Sequence, residues 1–336
     1  MRNHRFVTVT MATAMVTACL VLTGKSQVKA PPGGVLAEPV TNAGGPIYAT
    51  FEGWGPLQDG TTALLLGYFN RNRTQVVDIP VGPENSIEPG GPDFGQPTHF
   101  LTGRQYGMFA ITVPKDWGNK KLTWTIVANG HKNTVSFWTN PPYWIDFYKN
   151  TANGNEPPRI KFVMNGTEYI GPPKERTVAT LAATVGQPLD LTAWAADQPP
   201  TITFESGAEP PAAAPAAGRP AGAKPANEPL PAFIGGRVVP LTPVAPGGGA
   251  EARRPRGDIQ VIWRKYRGPG DVKIADETIS LVNGGDAKKF VEAKTTATFS
   301  APGTYWLRAQ VNDSSGNGGG GDQCCWTSAH IVVNVK

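Results

Sequence analysis

The property that most restricts this chain is a short-period alternation of apolar and polar residues, broken at short intervals by turn formers. From Leu122 onward, Leu122, Trp124 and Ile126 alternate with Thr123 and Thr125. Successive strand residues point to opposite faces, so this run is a strand with one buried and one wet side. Asn129-Gly130 follows it, and such a pair between two strand-like runs marks a hairpin, because both central residues of a type I′ turn need positive φ. Similar runs rich in β-branched and aromatic residues predict strands near 47–51, 63–69, 75–81, 106–113, 134–139, 143–147 and 160–164. No segment sustains a helical period. Residues 45–169 are therefore expected to form an all-β domain, most simply a two-sheet sandwich.

A chain of 336 residues corresponds to about two domains, and a second pattern starts near Thr177. Leu189, Leu191 and Ala193 alternate, Ile259, Val261 and Trp263 alternate with Gln260 and Arg264, and Ile331, Val333 and Val335 close the chain. Residues 177–336 are expected to be a second, Ig-like β-sandwich. Between its second and third strands, residues 207–257 are dominated by Pro, Ala and Gly. That composition buries too little surface to offset chain entropy, so the stretch reads as a disordered insertion within the second domain. An apolar fraction of 40% and nine tryptophans supply cores elsewhere, which confines disorder to local stretches.

The stretch from Phe299 to Asp313 (FSAPGTYWLRAQVND) resembles the penultimate strand of bacterial immunoglobulin-like and PKD-type modules. The resemblance implies a tyrosine-corner role for Tyr305 and a core position for Trp263. The inter-sheet disulfide of antibody domains has no counterpart here. Residues 67–72 (GYFNRN), 78–85 (DIPVGPEN) and 95–100 (GQPTHF) are similar to stretches of uncharacterised exported bacterial proteins. These resemblances imply export and β architecture, and they carry no catalytic residues across.

Met1-Arg2-Asn3-His4-Arg5 precedes an apolar stretch from Phe6 to Leu22 and then a polar, Pro-containing segment, the pattern of an export signal over residues 1–30. The stretch is interrupted by threonines and is shorter than the ~18 apolar residues that a spanning helix uses. Residues 16–19 (VTAC) resemble a lipobox with Cys19 as the lipidated residue, while Leu20-Val21-Leu22 continues the apolar run and makes Cys19 an ordinary member of it. The expected location is the periplasm, cell envelope or exterior. Membrane attachment is expected only through an uncleaved signal or a lipidated Cys19.

Beyond the signal only Cys324 and Cys325 remain, so no disulfide framework is legible. A bridge between neighbours needs a distorted turn, and two unbridged thiols are the simpler reading. The formal charge of +5 comes from 31 basic and 26 acidic residues spread along the chain. It lacks the clustered basic footprint of a nucleic-acid binder.

Neither G-x-S-x-G nor H-E-x-x-H occurs, and His99, His131 and His330 stand in separate contexts, so no catalytic set is legible. Gly316, Gly318 and Gly321 match a dinucleotide fingerprint by letter, but a strand-like run follows, not the helix whose N-terminus receives a pyrophosphate. Residues 82–98 hold four prolines and four glycines and read as an irregular loop, in which Glu84, Glu88 and Asp93 make either a cation site or a solvated edge.

Asp313, Ser315 and Asn317 place oxygen ligands at alternate positions ahead of Gly318, as in the first half of a calcium loop. Its twelfth position is Cys324, and Asp322 substitutes for the missing Glu only if the loop folds back. Four consecutive glycines, Gly318 to Gly321, favour a flexible hairpin connection. Calcium at Asp313, Ser315, Asn317 and Asp322 is the alternative, and no other cofactor is expected.

Aromatic residues make the stronger case for binding. Alternation through 135–138 and 143–148 sends Val135, Phe137, Ile145 and Phe147 to one side, and Trp138, Trp144 and Tyr148 to the other. A row of this kind stacks on sugar rings or accepts a protein surface, and packing between domains or sheets is the structural alternative. Trp306 shares an outward face with Arg308, opposite Tyr305, Leu307 and Ala309, where the insertion is one candidate cover.

The sequence thus points to an exported, non-catalytic binding or structural protein whose partner is carbohydrate or a protein surface. The rival is a polysaccharide-active hydrolase with carboxylates far apart in sequence. Limited proteolysis is expected to cut first within 207–257 and leave two fragments that stay associated. Fragments that separate and fold independently would make that stretch a linker between domains.

Overall fold

A computed structural model describes residues 41–150, 154–172, 177–198, 232–234, 237–239, 258–313 and 325–336. These residues contain no α-helix, and the protein is all-β. The first part supplies β1 (Ile47–Pro56), β2 (Thr62–Asn70), β3 (Val77–Asp78), β4 (Asn85–Glu88), β5 (His99–Phe100), β6 (Gly103–Val113), β7 (Leu122–Ala128) and β8 (His131–Phe137). Sheets β1-β2-β6 and β4-β7-β8 share one core, with a short β3-β5 ladder beside them. Ile47, Leu64, Leu66 and Phe109 enter that core from the first sheet, and Ile87, Leu122, Trp124 and Phe137 from the second. In β7 every second residue is buried, as the alternation predicts. Asn129 (φ 52°) and Gly130 (φ 79°) form the positive-φ pair that turns β7 into β8.

Residues 82–98 are a correction to the irregular loop expected from sequence. They contain β4, which pairs with β7, and their buried side chains occupy backbone carbonyls. Asn85 donates Nδ2 to the carbonyls of Ile79 (3.0 Å) and Pro97 (2.8 Å), and its Oδ1 accepts from Trp124 Nε1 at 3.0 Å. Gln96 donates Nε2 to the carbonyls of Pro92 (2.7 Å) and Asn85 (3.2 Å). Prolines remove amide donors, so a folded Pro-rich segment needs such side chains to satisfy its carbonyls.

The second part begins with β9 (Arg159–Lys161), β10 (Tyr169–Ile170), β11 (Ala179–Ala183) and β12 (Leu189–Ala196). Next come β13 (Ala232–Ile234) and β14 (Arg237–Val239), an antiparallel pair belonging to a separate compact unit. The remaining strands are β15 (Asp258–Arg267), β16 (Val272–Ile274), β17 (Thr278–Val282), β18 (Val291–Phe299), β19 (Gly303–Asn312) and β20 (Trp326–Val335). Sheets β10-β9-β12-β18-β16 and β11-β20-β19-β15-β17 enclose a core that includes Ile160, Leu191, Trp263, Phe299, Tyr305 and Ile331. Tyr305 Oη donates to the Ala301 carbonyl at 2.8 Å, and the buried Trp263 ring lies 6.0 Å from that of Phe162.

The boundary between sandwiches falls earlier than residue 169. β9 pairs with β12 through Ala195 and Ile160, so residues 159–170 belong to the second sandwich. β12 and β15, which flank the Pro/Ala/Gly-rich stretch, lie in opposite sheets of this one sandwich. The stretch itself, β13 and β14 apart, lies outside the described residues, as do the N-terminal segment with Cys19 and residues 314–324 with Cys324.

On β19, Tyr305, Leu307, Ala309 and Val311 face the second core, and Trp306 and Arg308 face the first sandwich. Trp306 therefore lies against the first sandwich and beside Tyr266, whose ring stacks at 6.1 Å. Tyr266 is fully buried in the first core and donates Oη to the Gly95 carbonyl at 2.6 Å. Arg267 makes a two-pronged pair with Asp93 at 2.9 and 3.0 Å and also donates to the Gln96 carbonyl. Trp326, at the start of β20, packs with Leu57, Ala63, Leu65 and Phe147 of the first part.

Gly107 in β6 has φ 48°, and a Cβ there would overlap the Trp326 ring. Gly107→Ala is expected to destabilise by about 1–3 kcal/mol through overpacking. Trp326→Ala should cost about 3–5 kcal/mol through the cavity it leaves. Thermal melts check both, and a Gly107→Ala melt matching the parent would show that the ring does not depend on that bare backbone.

Candidate functional site

β8 ends at Phe137, and Pro141–Tyr143 form a single 3₁₀ turn where a strand over 143–147 was expected. Two consecutive prolines offer no amides to a ladder. The turn is nevertheless tightly held along β1. Tyr143 N donates to the Asn140 carbonyl (2.9 Å), Trp144 N to Pro141 (3.1 Å) and Ile145 N to Trp54 (2.9 Å). Trp54 Nε1 donates to the Asn140 carbonyl at 2.6 Å, and the Phe51 ring lies 5.4 Å from that of Tyr143. Phe147 is fully buried. Tyr143 and Trp144 are 49% and 51% exposed, more than any other described Phe, Tyr or Trp.

The expected row of Trp138, Trp144 and Tyr148 is not formed. Trp138 is half-buried just beyond β8, with Lys121 Nζ 4.4 Å from its ring centre. Tyr148 is half-buried against the cluster of Phe147 and Trp326. Strand alternation holds only while the backbone stays extended, and the Pro141-Pro142 turn resets it. The ledge is Tyr143 with Trp144, and the Pro-Pro pair was the sequence signal for Tyr143.

Asp313 stands just past β19, 2% exposed, where Asn155 Nδ2 donates to its Oδ2 at 2.5 Å. Asp197, just past β12 and 7% exposed, senses its charge. Burial first, and the Asp313 carboxylate second, push Asp197 up from 3.8 to about 8. Asp197 Oδ1 makes no hydrogen bond. Cys325 is buried nearby, its Sγ 3.7 Å from Asn155 Nδ2. Ser315, Asn317 and Asp322 lie outside the described residues, so the structure places only Asp313 of the calcium candidates.

The other candidates do not converge. Asp93 is bound to Arg267 instead of standing open for a cation. His99 Nδ1 lies 2.8 Å from Asp78, the His330 ring lies 4.1 Å from that of Tyr266, and His131 is exposed at the β7–β8 turn. Among the described residues no group of three or more His, Cys, Asp or Glu gathers.

Comparison with protein-family models and with curated proteins finds no match.

A carboxyl whose folded pKa is raised stabilises the fold below its ordinary value, and that contribution is lost as pH rises through the folded value. For Asp197 the window runs from 3.8 to about 8. The melting temperature is expected to fall by on the order of 5 °C across it, the shift that follows from a few kcal/mol in a domain of this size. Asp197→Asn should flatten that slope, and an unchanged pH profile of melting in the variant would refute the assignment.

Proposed function

We propose that this is an exported, non-catalytic binding protein that recognises carbohydrate through the ledge of Tyr143 and Trp144. The observation that carries the reading is the pair of half-exposed rings on a turn held by four hydrogen bonds. A turn whose backbone is already held in place loses little conformational entropy on binding. Their flat apolar faces match the C–H face of a pyranose. The basic start and the apolar run from Phe6 to Leu22 support export.

The test is a screen of the purified protein against glycans for both binding and turnover. Binding without turnover is expected. Trp144→Ala should weaken it at least about tenfold, equivalent to about 1.4 kcal/mol, with a melting temperature close to the parent's, as for other surface substitutions. Released sugar products would overturn the non-catalytic reading. Capture of a protein in place of any glycan, lost in the same variant, would assign the ledge to protein recognition.

A further inference from the structure

A cleft of about 230 Å³ lies between β6 of the first sandwich and the β15–β19 pair of the second. Arg104, Gln105 and Tyr106 line one side and Arg264, Arg308 and Gln310 the other. Arg264 and Arg308 are directly opposed across β15 and β19, an arrangement of like charges that strands normally avoid. Two of the three guanidiniums have carboxylates: Arg104 Nη2 lies 2.9 Å from Glu52 Oε1, and Arg264 Nη1 lies 2.7 Å from Glu277 Oε2.

Arg308 has no carboxylate within ion-pair distance among the described residues, although it is only 5% exposed. Its Nη2 reaches the carbonyls of Tyr106 and Gly107 at a long 3.3 Å, and its Nε has no hydrogen-bond partner. Burial lowers its pKa to about 10, which still leaves it cationic at neutral pH. A buried, incompletely bonded guanidinium is costly to the fold, and its planar fork matches a carboxylate.

The rest of the lining suits a hydroxylated ligand. Gln105 gives its Nε2 to the Thr102 carbonyl and Gln310 gives its own to Asn312 Oδ1, which leaves both amide oxygens as acceptors at the cleft. Leu101 and Ile262 add apolar surface for a C–H face. The volume equals that of about eight liquid waters, room for one sugar ring and not for a macromolecule.

We propose that this cleft binds one acidic monosaccharide unit, whose carboxylate is held by Arg308 and whose hydroxyls donate to Gln105 and Gln310. The site is separate from the aromatic ledge and stands whether or not that ledge binds glycan.

Titration calorimetry of the full chain at low salt with glucuronate, glucose and inorganic phosphate tests it. Glucuronate is expected to bind at least about tenfold more tightly than the other two, as loss of a charged hydrogen-bond partner implies. Arg308→Met keeps the volume and removes the charge. It should weaken glucuronate at least about tenfold without lowering the melting temperature, because an apolar isostere replaces a costly buried ion. A lower melting temperature with glucuronate binding unchanged would make Arg308 a structural clamp and overturn the proposal. Arg264→Gln, at a position whose side chain is 32% exposed, should weaken glucuronate several-fold with the fold intact, and it carries the test if Arg308→Met does not fold. Glucose binding as well as glucuronate, phosphate binding as tightly, or no binding by the parent at millimolar concentration would each overturn the acidic-sugar site.

Discussion

The arrangement of this molecule depends on the end of β15. A register shift between Lys265 and Arg267 lets three consecutive side chains engage the first sandwich. Lys265 Nζ lies 3.3 Å from Asp78, Tyr266 donates to Gly95, and Arg267 grips Asp93 while its guanidinium lies 4.3 Å from the Trp306 ring centre. A β-bulge re-aims side chains in this way at the cost of one ladder position. The tyrosine contributes buried area, and the arginine contributes directional, charge-assisted bonds. Together with Trp326 against Gly107, these contacts join two sandwiches that each have a core of their own.

That junction also determines what the surface offers. Covering the outer face of β19 buries Arg308, which on an uncovered sheet would be an ordinary solvated arginine. The same docking leaves the cleft open between β6 and β15. The aromatic ledge has a different origin, because Pro141 and Pro142 force the chain out of the β8 ladder and back along β1. One feature is thus tertiary and electrostatic, the other local and steric. They are sites of different chemical character on one compact unit.

The alternation read in β7 appears in the structure residue for residue, and so does the division of β19 into an inward face with Tyr305 and an outward face with Trp306 and Arg308. These features depend only on the two-residue period of an extended backbone. The same rule failed at 143–147, where two prolines interrupt the extension and Tyr148 turns toward the Phe147 cluster. It also missed β4, because a Pro/Gly-rich stretch becomes ordered through Asn85 and Gln96, whose hydrogen-bond partners a periodicity argument does not see. The strand at Arg159–Lys161 was legible as a strand, but not which sheet it joins.

From the sequence by itself came the all-β class, the positions of most strands, the Asn129-Gly130 turn and the outward face of β19, since each follows from local backbone sterics and burial of alternate residues. Only the tertiary structure decided which surface covers that face. Asp93 and Arg267 are 174 residues apart, and Tyr106 and Arg308 are 202 apart. No short-range pattern encodes such contacts, because a side chain's charge and burial depend on whatever folds against it from elsewhere in the chain. For the same reason Arg308 looks like any surface arginine in the sequence and becomes a buried cation, its Nε without a hydrogen-bond partner among the described residues, only when the two sandwiches meet.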